Sequence, residues 1–426
     1  MSVTTPEKFS ALLLPDSRAT LLDSESTHNE AGAQIGTPAR VTGVRSLVLD
    51  ASGSMDIDEP LRLKAASSGS RGGALFLWRH FGDLKWRGYN GASMVQSWRP
   101  LVFVTGSGSP VEATDPHAVT LDNGITVLTF ERQTTLYRQV VTRKYTPLTD
   151  TWGSATIVYQ TTSTAAKLRP TMVVLPSGRL LLFHWVNTGG INNVRVHFSA
   201  DSGSTWAVAS LGVLDAPIAI SDHTVSKLRA VWSGVGISMV AELDGNKIRQ
   251  FYSTDLGASF TTISDQLPSH LSPELVDLDG SVGLLTVQTG AAGAPRLRLI
   301  GSISEPFANA NEITISSAQF GNATPESDLA AWVDSSGDLF VLGRLVNNIN
   351  EIVGFRASHP FTDWAPLGES LLSVGGESIG RVFGTSTATL FPRAISATYG
   401  GGRPLVFHSW TTSAPIAGPS DNSLCV

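Results

Sequence analysis

A chain of 426 residues with 15% charged residues and 41 glycines has the make-up of many short strands joined by turns. Its net charge of −6 comes without a basic cluster, which excludes sequence-independent nucleic-acid binding, and its single cysteine, Cys425, excludes an intrachain disulfide or a thiolate metal site. The start of the chain lacks the basic residues and apolar run of a signal peptide, and no stretch approaches the ~18 apolar residues of a membrane span, so the expectation is a soluble product made in the cytoplasm, free or within a virion.

Residues 1–72 mix Pro, Gly, Ser and charge with little periodicity and read as an extended N-terminal arm, a tether to other structural proteins. Inside it, Asp50-Ala51-Ser52-Gly53-Ser54 has the spacing of a cation-binding loop, but the alternating strand and helix pattern that such a loop needs does not follow. No two histidines stand at metal-ligand spacing either. Neither a metal nor a cofactor is expected.

Residues 73–410 are strand upon strand, and a repeat organises them. Aligned on a closing aromatic, the units end at Trp98, Trp152, Trp206 and Phe260, each 54 residues apart, and then at Trp364, 104 further on, with room for one degenerate unit near Glu312. That makes six units. Pro116, Pro170, Pro273 and Pro325 open first strands, where a missing N–H is tolerated. Each unit reads as four strands, and four-stranded units of about 40–55 residues are the signature of a β-propeller. The first unit offers two strands within 74–104 and the last two within 393–408, so the N- and C-terminal strands are expected to share a blade and close the ring. Residues 411–426 are left as a tail.

Two turns are sharp. Ser199, Asp201, Gly203, Thr205 and Trp206 recur in register as Ser253, Asp255, Gly257, Ser259 and Phe260. The Asp is expected to accept backbone N–H bonds, the Gly to take a conformation that a side chain forbids, and the aromatic to plug the core. The role expected of both turns is structural.

This pattern resembles the Asp-box of the sialidase-like, BNR-repeat propellers over residues 73–410. The resemblance implies boxes between third and fourth strands, on the face opposite the one that binds ligands. The binding face is then built from blade connections and second-to-third loops. Its candidate ligand-binding residues are Asp115, Arg169, Asp222, His223, Glu274, Glu326, Arg344 and Arg381, with Glu131, Arg132 and Glu242 expected in loops nearby. For a sialidase the resemblance further implies three arginines about a substrate carboxylate and a tyrosine nucleophile. Arg169, Arg344 and Arg381 could supply the arginines. No tyrosine fits: Tyr399, the latest in the chain, precedes Gly400 in a turn on the other face.

The functional expectation is a non-catalytic propeller of a larger assembly, of virion or phage-tail type, that docks proteins or recognises cell-surface glycans. The alternative is a glycoside hydrolase that pairs Asp115 or Asp222 with Glu326 or Glu274. His184, His197 and His408 fall on strands and are expected to be packed there.

Overall fold

The computed structural model describes residues 112–149, 151–162, 167–188, 191–208, 218–221, 224–244, 246–263, 267–278, 280–288, 295–315, 329–333, 337–344 and 352–366, together with paired strands in 12–101 and 373–425. The fold is all-β. Its described helical content is one short 3-10 turn, Phe307–Asn309, and no helix among the described residues is long and apolar enough to cross a membrane.

The described strands form seven antiparallel sheets of four or five strands and one of two. The third large sheet shows the plan. Thr171–Val174, Leu180–Thr188 and Ile191–Ser199 lie side by side, with Ala207–Val208 and Ile218–Ser221 along the outer edge. Its second strand is apolar at nearly every position because both faces are covered. Leu180, Leu182 and Val186 pack with Val127 and Val140 of the second sheet. Leu181, Phe183 and Trp185 pack with Met239 and Phe251 of the fourth. The first strand of each large sheet lies beside the first strand of the next, and the series runs from Glu112–Thr120 through to Leu390–Gly400 and back to Lys64–Ser67.

The terminal sheets correct the sequence count. Lys64–Ser67, read as arm, is the first strand of a sheet completed by Ala74–His80, Asp83–Tyr89 and Arg99–Leu101. This stretch therefore has its own four strands and shares none with the C-terminal hairpin Leu390–Gly400 and Arg403–Thr412. That hairpin pairs onward with Leu12–Leu13 and Asn422–Cys425, and Asn422–Cys425 with Val48–Asp50. N- and C-terminal strands do share a sheet, but the N-terminal ones come from the supposed arm. Among the described residues, seven large sheets stand where six units were expected.

The two sharp turns join third to fourth strands and hold neighbouring sheets together. Asp201 Oδ1 accepts the Ser204 and Thr205 N–H groups at 3.0 and 2.9 Å and the Ser199 hydroxyl at 2.8 Å, while Oδ2 accepts the Thr205 hydroxyl at 2.6 Å. Asp255 repeats this with Ser253 and Ser259. Burial would raise the Asp201 carboxyl, but the Thr205, Ser199 and Ser204 donors outweigh it and hold it at about 2.

Each turn presses on the preceding sheet. Gly203 and Gly257 have φ of +80° and +88°, and a Cβ there would stand 3.0 Å from Val127 and 2.4 Å from Leu181 respectively. The aromatics follow the same route. The Trp206 indole donates to Thr142 Oγ1 at 3.0 Å, and Phe260 meets Phe183 edge-on at 5.5 Å, a geometry worth about 0.5–1.5 kcal/mol beyond its buried area. In the degenerate unit Phe307 takes this place, buried against Val240 and Ile248, rather than a residue near Glu312.

Replacing Gly257 by Ala meets both the left-handed backbone and the Leu181 clash, so it should cost about 2–4 kcal/mol in urea denaturation. Gly178→Ala, at φ +72° with nothing within 4 Å of the new Cβ, should cost only about 1–2 kcal/mol. Equal costs would show that the turn does not press on the neighbouring sheet.

Candidate functional site

In an antiparallel meander the third-to-fourth turns fix one face, and the starts of the first strands lie on the other. Several first strands are distorted near their starts. Register shifts fall between Thr114 and His117, Val225 and Lys227, and Leu271 and Glu274. Asp115, Arg169 and Ser272 adopt φ of 52°, 49° and 51°, and each precedes a proline. A residue before proline is normally extended, and a left-handed side-chain-bearing residue stores about 1–3 kcal/mol of strain.

The kinks bring charged groups of adjacent sheets together. Arg169 Nη1 donates to both Asp115 oxygens at 3.2 and 2.9 Å. Glu131 accepts from Arg138 and from the Leu168 N–H, and the Met172 N–H donates to His117 Nδ1 at 3.3 Å. Between the fourth and fifth sheets, Glu274 is held by Lys227 Nζ at 2.9 Å and Arg229 Nε at 3.0 Å. Glu242 accepts the Ser272 N–H at 2.7 Å and the Ser226 hydroxyl at 2.6 Å. Edge amides of the first strands are thus capped by side chains of the preceding sheet, which meets the requirement that buried N–H groups find acceptors.

A cavity of about 370 Å³ lies among the first strands of the second to fifth sheets. Its walls carry His117, Met172, Arg229, Trp232 and Glu274. Burial pushes the Glu274 carboxyl up, but the Arg229 and Lys227 charges outweigh it and hold it at about 2. Lys167, at the start of the third sheet, is lowered to about 8 by burial and by the charge of Arg169. Burial, reinforced by the charge of Asp115, raises the Glu131 carboxyl, against Arg138 and the Leu168 N–H.

The expected site residues divide accordingly. Arg169 lies just before the first strand Thr171–Val174, Asp115 and Glu274 lie within theirs, and Glu274 reaches the cavity. Arg344 ends the strand Leu339–Arg344. Asp222, His223, Glu326 and Arg381 lie outside the described residues. Glu131, Arg132 and Glu242 are corrections: they sit within second strands, not loops, because pairing continues past them to Gln133 and Leu243. Lys227, Arg229 and Trp232 were not anticipated. Their signal was two cations at alternate positions of a first strand, Val225–Trp232.

No protein-family profile matches the chain, and no curated protein matches it in sequence. Solved structures do. A polysaccharide lyase, an ulvan lyase bound to a GlcA(1-4)Rha3S saccharide, superposes with a TM-score of 0.51 at 10% identity over 88% of this chain and 94% of that one. A protein of unknown function from Dyadobacter fermentans gives 0.48 at 13% identity, over 88% and 98% of the two chains. A Trypanosoma rangeli sialidase gives 0.45 at 11% identity, over 77% and 55%. The likeness to the lyase is one of fold.

The Glu274 cluster makes a pH-dependent prediction. Its folded value lies below the ordinary 4.5, so its contribution is complete above about pH 4.5 and is lost as pH falls toward 2. Glu274→Gln should lower stability by about 2–3 kcal/mol at neutral pH. The difference from the unmodified chain should shrink as denaturation is repeated in progressively stronger acid. A constant difference would mean that the charge is not what stabilises.

Proposed function

We propose that the chain is a carbohydrate-recognising β-propeller with seven blades in a closed ring, and that its ligand site is the central cavity among the first strands. The observation that carries this is the composition of the cavity wall: Trp232, His117 and the Arg229–Glu274 pair around about 370 Å³. An aromatic ring suits the apolar face of a sugar, and a fixed guanidinium and carboxylate suit its hydroxyls. The fold likeness to a lyase that holds a saccharide supports the same ligand class.

The cavity chemistry favours binding over hydrolysis. A general acid must hold its proton at the working pH, whereas Glu274 is held at about 2 by its two cations. Asp115 is bound to Arg169 through both oxygens. The other expected members of an acid–base pair, Asp222 and Glu326, are outside the described residues. A virion assembly rests on composition alone and does not enter this reading.

The test is a glycan array run beside a fluorogenic sialoside, aryl glycosides and a uronate polysaccharide whose cleavage product absorbs in the ultraviolet. Glycan binding without turnover is expected, weakened at least about tenfold by Trp232→Ala. Turnover of any substrate would replace the binding reading with an enzymatic one. Binding that Trp232→Ala and Arg229→Ala leave intact would move the site elsewhere, and silence throughout would overturn a carbohydrate ligand.

A further inference from the structure

The seam between the second and third sheets differs in kind from the next one along. Between the third and fourth sheets the contact is aliphatic and aromatic, with Phe183 and Trp185 set against Met239 and Phe251. Between the second and third, polar groups are buried as well. His184 and His197 lie diagonally across two paired strands of the third sheet, at 0% and 3% exposure. Their Nε2 atoms are 3.0 Å apart and their rings stack at 5.1 Å. Tyr159, from the outer strand Thr156–Thr161 of the second sheet, covers His184 at 4.5 Å.

The charged and titratable groups along the described part of this seam can be named. Arg195 stands beside the pair on the third sheet, its guanidinium 5.5 Å from the Tyr159 ring. From the second sheet come Tyr159 itself, Lys144, which donates to Ser204, and the Glu131–Arg138 pair. Toward the cavity lie His117 and the Asp115–Arg169 pair. No carboxylate among these bonds to either ring of the histidine pair, while Arg195 sets a positive charge close by.

We propose that the His184–His197 pair is an acid-operated latch, which holds the outer strand Thr156–Thr161 of the second sheet against the third sheet while both rings are neutral and frees it when they take up protons. The hydrogen bond between two Nε2 atoms needs one N–H donor and one bare nitrogen, so double protonation abolishes it. Even one added charge enters a dry site beside Arg195.

The direction follows from linkage. Burial pushes His184 well below its ordinary value, with His197 and Arg195 adding to the effect. Burial and then Arg195 push His197 to about 4. A depressed imidazole leaves the closed seam at full strength above about pH 6.5 and weakens it as pH falls toward 4, by up to about tenfold per pH unit for each ring. Glu131 acts in the opposite sense. Its carboxyl is raised by burial and Asp115, so acid eases the inner end of the seam while it loads the outer end. Opening is therefore local to the outer strand.

Hydrogen–deuterium exchange of the full chain tests this at about pH 7 and about pH 4.5, with rates corrected for intrinsic exchange. The peptide covering residues 156–161 should exchange at least about tenfold faster in acid, while residues 237–253 of the fourth sheet, outside this seam, hold their protection. His197→Gln, which keeps an amide beside His184 and cannot titrate, should reduce that acid response, and His184→Gln should do the same. Exchange at 156–161 that is flat with pH would overturn the latch. So would an equal rise across the fourth sheet, or an undiminished acid response in both variants.

Discussion

Among the described residues, the third, fourth and fifth sheets depend on being covered on both faces by their neighbours. A sheet with apolar residues on both sides exposes them to water when alone, and here the faces of these sheets are claimed by the sheets before and after them. The Asp turns secure that contact. By tying the backbone to one carboxylate they place a glycine and then an aromatic against the preceding sheet, so that Gly257 and Phe260 belong by contact to the third sheet as much as to the fourth. Phe307 takes the aromatic's part in the fifth sheet without an Asp turn beneath it, held instead by Gln250, which accepts its N–H at 2.8 Å.

Stacking faces in this way leaves the first strands edge-on to the centre, and their unpaired amides must find acceptors. Side chains of the preceding sheet supply them: His117 for Met172, Glu131 for Leu168 and Glu242 for Ser272. These caps bring ionisable groups inside, and each then requires a counter-charge. The result is a set of ion pairs within and between adjacent sheets, of which Arg229–Glu274 lines the cavity. The binding chemistry available at the centre is thus a consequence of how the sheets meet.

How much of this the sequence discloses depends on the range of the interaction. The Asp turns are local, eight residues closing on themselves, and they were legible down to the backbone N–H donors, though not the hydroxyls that join them. The repeat length and the all-β class followed from them. The number of sheets was not legible, because Lys64–Ser67 has no turn signal of its own and reads as arm until its pairing with Ala74–His80 is seen. The site was half legible. Asp115, Arg169 and Glu274 stood out by their place beside prolines at first-strand starts. Lys227, Arg229 and Trp232 sit inside a first strand with no proline to flag it; the importance of Lys227 and Arg229 lies in a partner, Glu274, 45 residues or more away, and that of Trp232 in the cavity wall. The histidine pair is legible only with the register Leu182↔His197 and His184↔Arg195 in hand.

The central claim is that the ligand site is the cavity among the first strands. A crystal structure of the chain with the best-binding saccharide from the array tests it most directly. The account predicts a sugar ring between His117 and Trp232, with hydroxyls on Arg229 and Glu274. A saccharide seated away from these four side chains, with the cavity unchanged, would contradict it.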